Sequence, residues 1–154
     1  MKNLSFDSGV KEFCINGGGV LRFNPSDPNL YTRFMDAMEE IRAVEDTLVA
    51  KAKEVETLED RQRGGEAALR LMADADRQMK DILNRVFGMG NDFDAALGGV
   101  NVLAVAGNGQ RVVTNLLQAL QPVLLSGAES HTKQQVDAAV AKAKRSRAQR
   151  GAKA

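Results

Sequence analysis

The chain has one cysteine, one histidine, three prolines, one tyrosine and no tryptophan among its 154 residues. A lone Cys14 forms no disulfide within the chain and no multi-cysteine metal site. His131 has neither a second histidine at helical spacing nor a cysteine cluster with which to share a metal, so it reads as a surface residue. No apolar run approaches the roughly 20 residues that span a bilayer, and Lys2, Asp7 and Lys11 interrupt the N-terminus where a signal peptide needs an apolar stretch. No membrane partner and a cytoplasmic location are expected. With aromatics at only 5%, aliphatic and methionine side chains must fill the interior, which favours an adaptable helical core.

Charge of one sign is missing locally. The net charge is +1, but six of the 21 basic residues (Lys142, Lys144, Arg145, Arg147, Arg150 and Lys153) lie beyond Ala138, where there is no acid. The remaining 15 face all 20 acidic residues, so residues 1–137 carry −5. An acidic body ends in a basic tail. Residues 146–154, rich in alanine, glycine and positive charge, are expected to be flexible.

The longest pattern is helical. Asp27 can cap a helix, Pro28 suits its first position, and no further proline or glycine occurs before Gly64. Leu30, Phe34, Met38, Ile41, Val44, Leu48, Ala52 and Val55 recur three or four apart, predicting a helix from Asp27 to about Glu59. Gly64-Gly65 ends it, and Glu66 opens another in which Ala68, Met72, Ala75, Met79, Ile82 and Val86 form a packing seam. Two antiparallel helices joined near the glycine pair fit best, with one bent helix as the other reading. Asp92 or Asn91 caps a short helical turn through Leu97, before Gly98-Gly99. Val100 to Ala106 is a short strand or a buried loop. Val112, Val113, Leu116, Leu117, Leu120, Val123 and Leu124 cover more than half a helix circumference and are expected at the centre of the core. Pro122 should kink or end that helix, and Ser126-Gly127 should separate it from a last one carrying Val136, Ala139, Val140 and Ala143.

Before the first helix, Leu4 and Phe6, then Phe13 and Ile15, then Leu21 and Phe23 alternate with other residues around glycine-bearing turns. This predicts two or three short antiparallel strands whose edges stay available. The fold class is therefore α+β, mainly α: a small N-terminal antiparallel β-meander over residues 1–24, packed on a bundle of about four helices over 27–145. Residues 1–145 form one domain.

Nothing in these patterns is catalytic. Gly17 to Gly19 lack a helix directly after them, Gly107-Asn108-Gly109 lacks the lysine and hydroxyl of a phosphate loop, and Asp92 and Asp94 lack the further oxygen ligands of a calcium loop. No enzyme activity, metal or cofactor is expected. The apolar face formed by Phe34, Met38, Ile41, Leu48, Met72 and Met79 is the candidate protein-binding surface. Self-association is expected because the meander is too small to cover its own edges. The basic tail offers contacts to phosphates but no interleaved aromatics for stacking, so nucleic acid is not the expected partner.

Two stretches resemble one family. Phe23-Asn24-Pro25-Ser26-Asp27-Pro28-Asn29-Leu30-Tyr31, and Ile82 to Gly90 ending Val86-Phe87-Gly88-Met89-Gly90 with Phe93 following, are similar to small tail assembly chaperones of long-tailed bacteriophages and prophages. The resemblance includes the later helix with Pro122 after Leu120, while Asn91 stands where a threonine is associated with the family and residues 95–109 have no counterpart. It implies a non-enzymatic protein in the bacterial host cytoplasm. Such a protein binds the tape-measure protein and keeps it soluble while tail-tube protein polymerises around it. The alternatives are a nucleic-acid-binding accessory protein using the basic tail, or a structural tail or connector subunit.

Overall fold

The computed structural model describes residues 1–88 and 90–153. Met89, within the glycine-rich exit, and Ala154, at the end of the tail, lie outside the described residues. The fold is mainly helical, with a two-stranded antiparallel hairpin ahead of four helices. These are β1 (Lys11–Ile15), β2 (Gly19–Phe23), α1 (Pro28–Glu56), α2 (Arg61–Phe87), α3 (Phe93–Ala96) and α4 (Val112–Lys153). The strands pair with Phe13 opposite Leu21 and Cys14 opposite Val20. Asn16 and Gly17 turn the chain with positive φ. Leu4 and Phe6 alternate as a strand does, yet residues 1–10 are unpaired and exposed.

Helix α1 begins as its sequence predicts: the Asp27 carboxylate accepts from the Asn29 N–H at 2.9 Å and Pro28 occupies the first turn. It ends earlier than Glu59, capped at Thr57. Helix α2 starts at Arg61 rather than Glu66, because the Asp60 carboxylate accepts from the Gln62 and Arg63 N–H groups. That cap satisfies two orphan donors, which outweighs the cost of placing Gly64 and Gly65 in the first turns. The glycine pair therefore lies inside α2. The two helices are antiparallel: Arg33 donates from Nε to the Val86 carbonyl at one end, and Gly64 lies beside the Val55 carbonyl at the other.

The core is where α1, α2 and α4 meet under the hairpin. Leu30, Phe34, Ala37 and Ile41 of α1 pack with Met79, Leu83 and Val86 of α2 and with Val113, Leu116, Leu120 and Leu124 of α4. Five of the six phenylalanines gather at one end. Phe13 and Phe23 stack at 4.4 Å, and Phe87 meets Phe23 at 5.0 Å, Phe93 at 5.2 Å and Phe34 at 6.5 Å. Phe87 thus ties the hairpin, α1 and α3 to the end of α2. Residues 100–106 are a loop with Val102 and Leu103 buried and a single bridge between Val105 and Arg111. Its carbonyls at Val102 and Ala104 accept from the N–H groups of Val113 and Val112, satisfying donors that the start of α4 would leave bare.

Helix α4 corrects the expected break. It runs unbroken from Val112 to Lys153 through both Pro122 and Gly127. Pro122 and Gln118, whose carbonyl loses its helical donor to the proline, are both exposed, and on a helix's solvent side such a carbonyl can turn to water. Gly127 serves packing instead of separating helices: a Cβ there would come within 1.8 Å of the Pro25 carbonyl oxygen. The helix crosses the turn before α1 at a distance only glycine permits. Residues 146–153 continue the same helix.

Candidate functional site

The six residues expected to form a protein-binding face divide sharply. Phe34, Ile41 and Met79 are buried among α1, α2 and α4, so they offer a partner no surface in this fold. Met38, Leu48 and Met72 are half-buried and packed against the same core. The stripe reads as a binding face in sequence because its periodicity is the same whether a partner helix belongs to the chain or to another protein. Here the partner helix is internal.

The most buried polar centre is Lys80, which is 4% exposed on α2. Its ammonium donates to Asp94 at 2.6 Å, to the Val100 carbonyl at 2.8 Å and to Asp76 at 3.0 Å. Burial pushes the Lys80 pKa down, but the hydrogen bonds and charges of Asp94 and Asp76 outweigh it and hold the pKa above the ordinary 10.5. Asp76 also accepts from the Val102 N–H, and Asn101 donates to the Met72 carbonyl. Every donor of Lys80 is engaged, so this centre fastens α3 and the 98–103 loop to α2 and has no proton free for chemistry. Sequence reasoning passed over it. The available signal was the i,i+4 pair Asp76–Lys80 beside the Met79 seam.

Asn91 closes one sheet edge. Its side-chain amide donates to the Arg22 carbonyl and its oxygen accepts from the Arg22 N–H, both at 2.8 Å, imitating a neighbouring strand along the outer side of β2. A third bond, from its amide to the Phe87 carbonyl, anchors it to the end of α2. A threonine side chain at this position has no amide with which to make that pair of bonds. The outer side of β1 has no such cover. Backbone groups alternate in direction, so if Arg22 faces away from β1, its partner Glu12 and the next-but-one residue Cys14 face away from β2. No hydrogen bond among the described residues reaches their outward backbone groups, although the Glu12 carboxylate pairs with the Arg22 guanidinium at 2.9 Å.

Beside this open edge lies an apolar groove between the hairpin and α4. A cavity of about 400 Å³ is walled by Phe13, Ile15, Leu21, Leu116, Leu120 and Val123, and an open hollow by Lys11, Pro25 and Pro122 continues it. Apolar side chains line most of it.

The second unpartnered feature is the far half of α4. From Val112 to Ala128 the helix buries Val113, Leu116, Leu120 and Leu124, whereas from Glu129 onward its described side chains are exposed apart from half-buried His131 and Ser146. Val136 and Val140 are 55% and 47% exposed. This arm of 25 residues is about 37 Å long at 1.5 Å per residue. It carries the six basic residues beyond Ala138.

Among the described residues, no three His, Cys, Asp or Glu side chains gather to hold a metal ion. No described helix is long and apolar enough to cross a membrane. No protein-family model, curated protein or solved structure matches this chain.

Proposed function

We propose that this protein is a non-enzymatic binding protein that holds a long helical client, and specifically a tail assembly chaperone that keeps a phage tape-measure protein soluble during tail morphogenesis in the bacterial host cytoplasm. The observation that carries this reading is the arm of α4. A helix in a protein draws most of its stability from packing an apolar stripe, and Val136, Ala139, Val140 and Ala143 form such a stripe, exposed among the described residues. A second helix laid along the arm would cover it. Small side chains in the seam let two backbones approach closely, and the narrow stripe keeps the affinity of each site modest. Many copies along one long client then hold it by avidity and release it as tail-tube protein displaces them. The resemblance of residues 23–31 and 82–90 to tail assembly chaperones points the same way.

Co-expression tests it. The full chain is expected to raise the soluble fraction of the tape-measure protein, and a variant ending at Ala128 to lose that effect while keeping its own fold. A client equally insoluble with and without the full chain sinks the proposal.

A second reading rests on the charge of the same arm. A helix with six basic residues and no acid beyond Ala138 suits an accessory protein that binds phosphate backbones without sequence preference. Deleting residues 146–154 separates the two. Tight DNA binding at physiological salt that vanishes with the deletion, while client solubility is untouched, favours nucleic acid.

A further inference from the structure

The open edge of β1 and the exposed segment ahead of it are complementary to each other. Leu4 and Phe6 are 89% and 78% exposed, and they sit two apart, the spacing that places both on one face of a strand. The edge beside them offers the backbone groups of Glu12 and Cys14, above a groove of about 400 Å³. A cavity of roughly 150 Å³ already accepts a benzene ring, so two apolar side chains have room. The chain's own segment is steered elsewhere. The Ser8 carbonyl accepts from the Asn24 amide at 3.1 Å, Gly9 takes a positive φ, and its N–H donates to the Asp7 carboxylate. Asn24 directly follows β2, so this tether holds Ser8 and Gly9 on the β2 side of the hairpin, and residues 1–7 leave from there exposed and unpaired. A Cβ on Gly9 would stand 2.7 Å from the Asn24 amide, which shows how closely the tether is drawn.

We infer that residues 2–6 of a second copy of this chain add to β1 as an antiparallel third strand, seating Leu4 and Phe6 in the groove between β1 and α4. The faces set the register. Phe13 and Lys11 lie on the groove side with Leu21 and Phe23, so Leu4 falls opposite Phe13 and Phe6 opposite Lys11, over the hollow by Pro25 and Pro122. Ser5 and Asn3 then exchange backbone hydrogen bonds with Glu12 and Cys14. Reciprocal exchange between two copies closes the dimer and leaves neither β1 edge bare. This dimer stands independently of the client proposed for the arm.

The lone cysteine reports the register. In the paired strand Asn3 faces Cys14 at about 5.5 Å between Cα atoms, a separation that suits a disulfide. Asn3→Cys is therefore expected to give, on mild oxidation, a disulfide dimer in which peptide mapping joins the new thiol of one copy to Cys14 of the other. Lys2→Cys, whose side chain would point to the groove face, is expected to remain largely reduced. An intrachain link between the new thiol and Cys14 would assign the strand to the same molecule and overturn the second copy. Free thiols, or links only between like positions, would overturn the pairing itself. Sedimentation supplies the second measurement: the parent is expected at twice the monomer mass, and L4D/F6D, altered only at exposed positions, at half the parent's value with its helical circular dichroism unchanged. A monomeric parent, or a mass unmoved by L4D/F6D, overturns the inference.

Discussion

The two halves of α4 share a backbone and almost nothing else. Residues 112–128 are held by the core, by loop carbonyls at their N-terminus and by the turn at Pro25, whereas the described side chains of residues 129–153 are exposed apart from half-buried His131 and Ser146, so this half relies mainly on its own hydrogen bonds. One continuous helix can therefore be structural at one end and a surface awaiting a partner at the other. The difference teaches that helix length and helix stability are separate quantities, because packing supplies most of the second.

The body end of this comparison is broken most severely at Lys80. Removing the ammonium leaves Asp76, which is 17% exposed, without its cation, so Lys80→Ala is expected to cost about 3–5 kcal/mol in urea unfolding. The pH dependence follows from the raised pKa. Its stabilisation is fully present below 10.5 and is lost as pH climbs through the higher folded value, so the stability gap between parent and Lys80→Ala should narrow only in strong alkali.

Within α4 itself, Leu124→Ala and Val136→Ala set the two halves side by side. Leu124 is 1% exposed and its truncation is expected to cost about 2–4 kcal/mol. Val136→Ala on the arm should stay within about 0.5 kcal/mol, since little burial is lost and alanine favours helix. Equal losses at both positions would mean that the arm is packed in solution.

At the boundary, Gly127→Ala is expected to destabilise by about 1–3 kcal/mol despite the better helix propensity of alanine, because the Pro25 backbone must move. Gly65→Ala in α2, where nothing lies within 4 Å, should stabilise by about 0.5–1 kcal/mol. Thermal melts of the two variants, shifted in opposite directions, would show that Gly127 is a contact and Gly65 merely a tolerated residue.

The smallest expected effect is global. Deleting residues 129–154 should leave the unfolding midpoint of the body nearly unchanged, and amides of the arm should exchange far faster than those of residues 113–124. Slow exchange along the arm in the absence of any client would place a partner against it.

Several elements were legible from local chemistry alone. Asp27 and Pro28 set the start of α1, Asp92 caps α3, and the wide apolar face of residues 112–124 marks the helix nearest the core, because caps and periodicity act over one or two turns. Local chemistry misjudged Gly64-Gly65 and Gly127, where the same residue can end a helix or let another backbone approach. It also ranked Phe34, Ile41 and Met79 as surface, since an amphipathic stripe says that something covers it and not what. The amide of Asn91 on Arg22, the hydrogen bonds of Lys80 to Asp94 and Val100, and the bare edge of β1 join residues 14 to 69 positions apart, or depend on no residue arriving at all. Sequence by itself determined the mainly helical class, the caps and the N-terminal hairpin. Only the tertiary structure decided which apolar faces were consumed inside the fold and which were left over, because burial is a property of what the chain brings together in space.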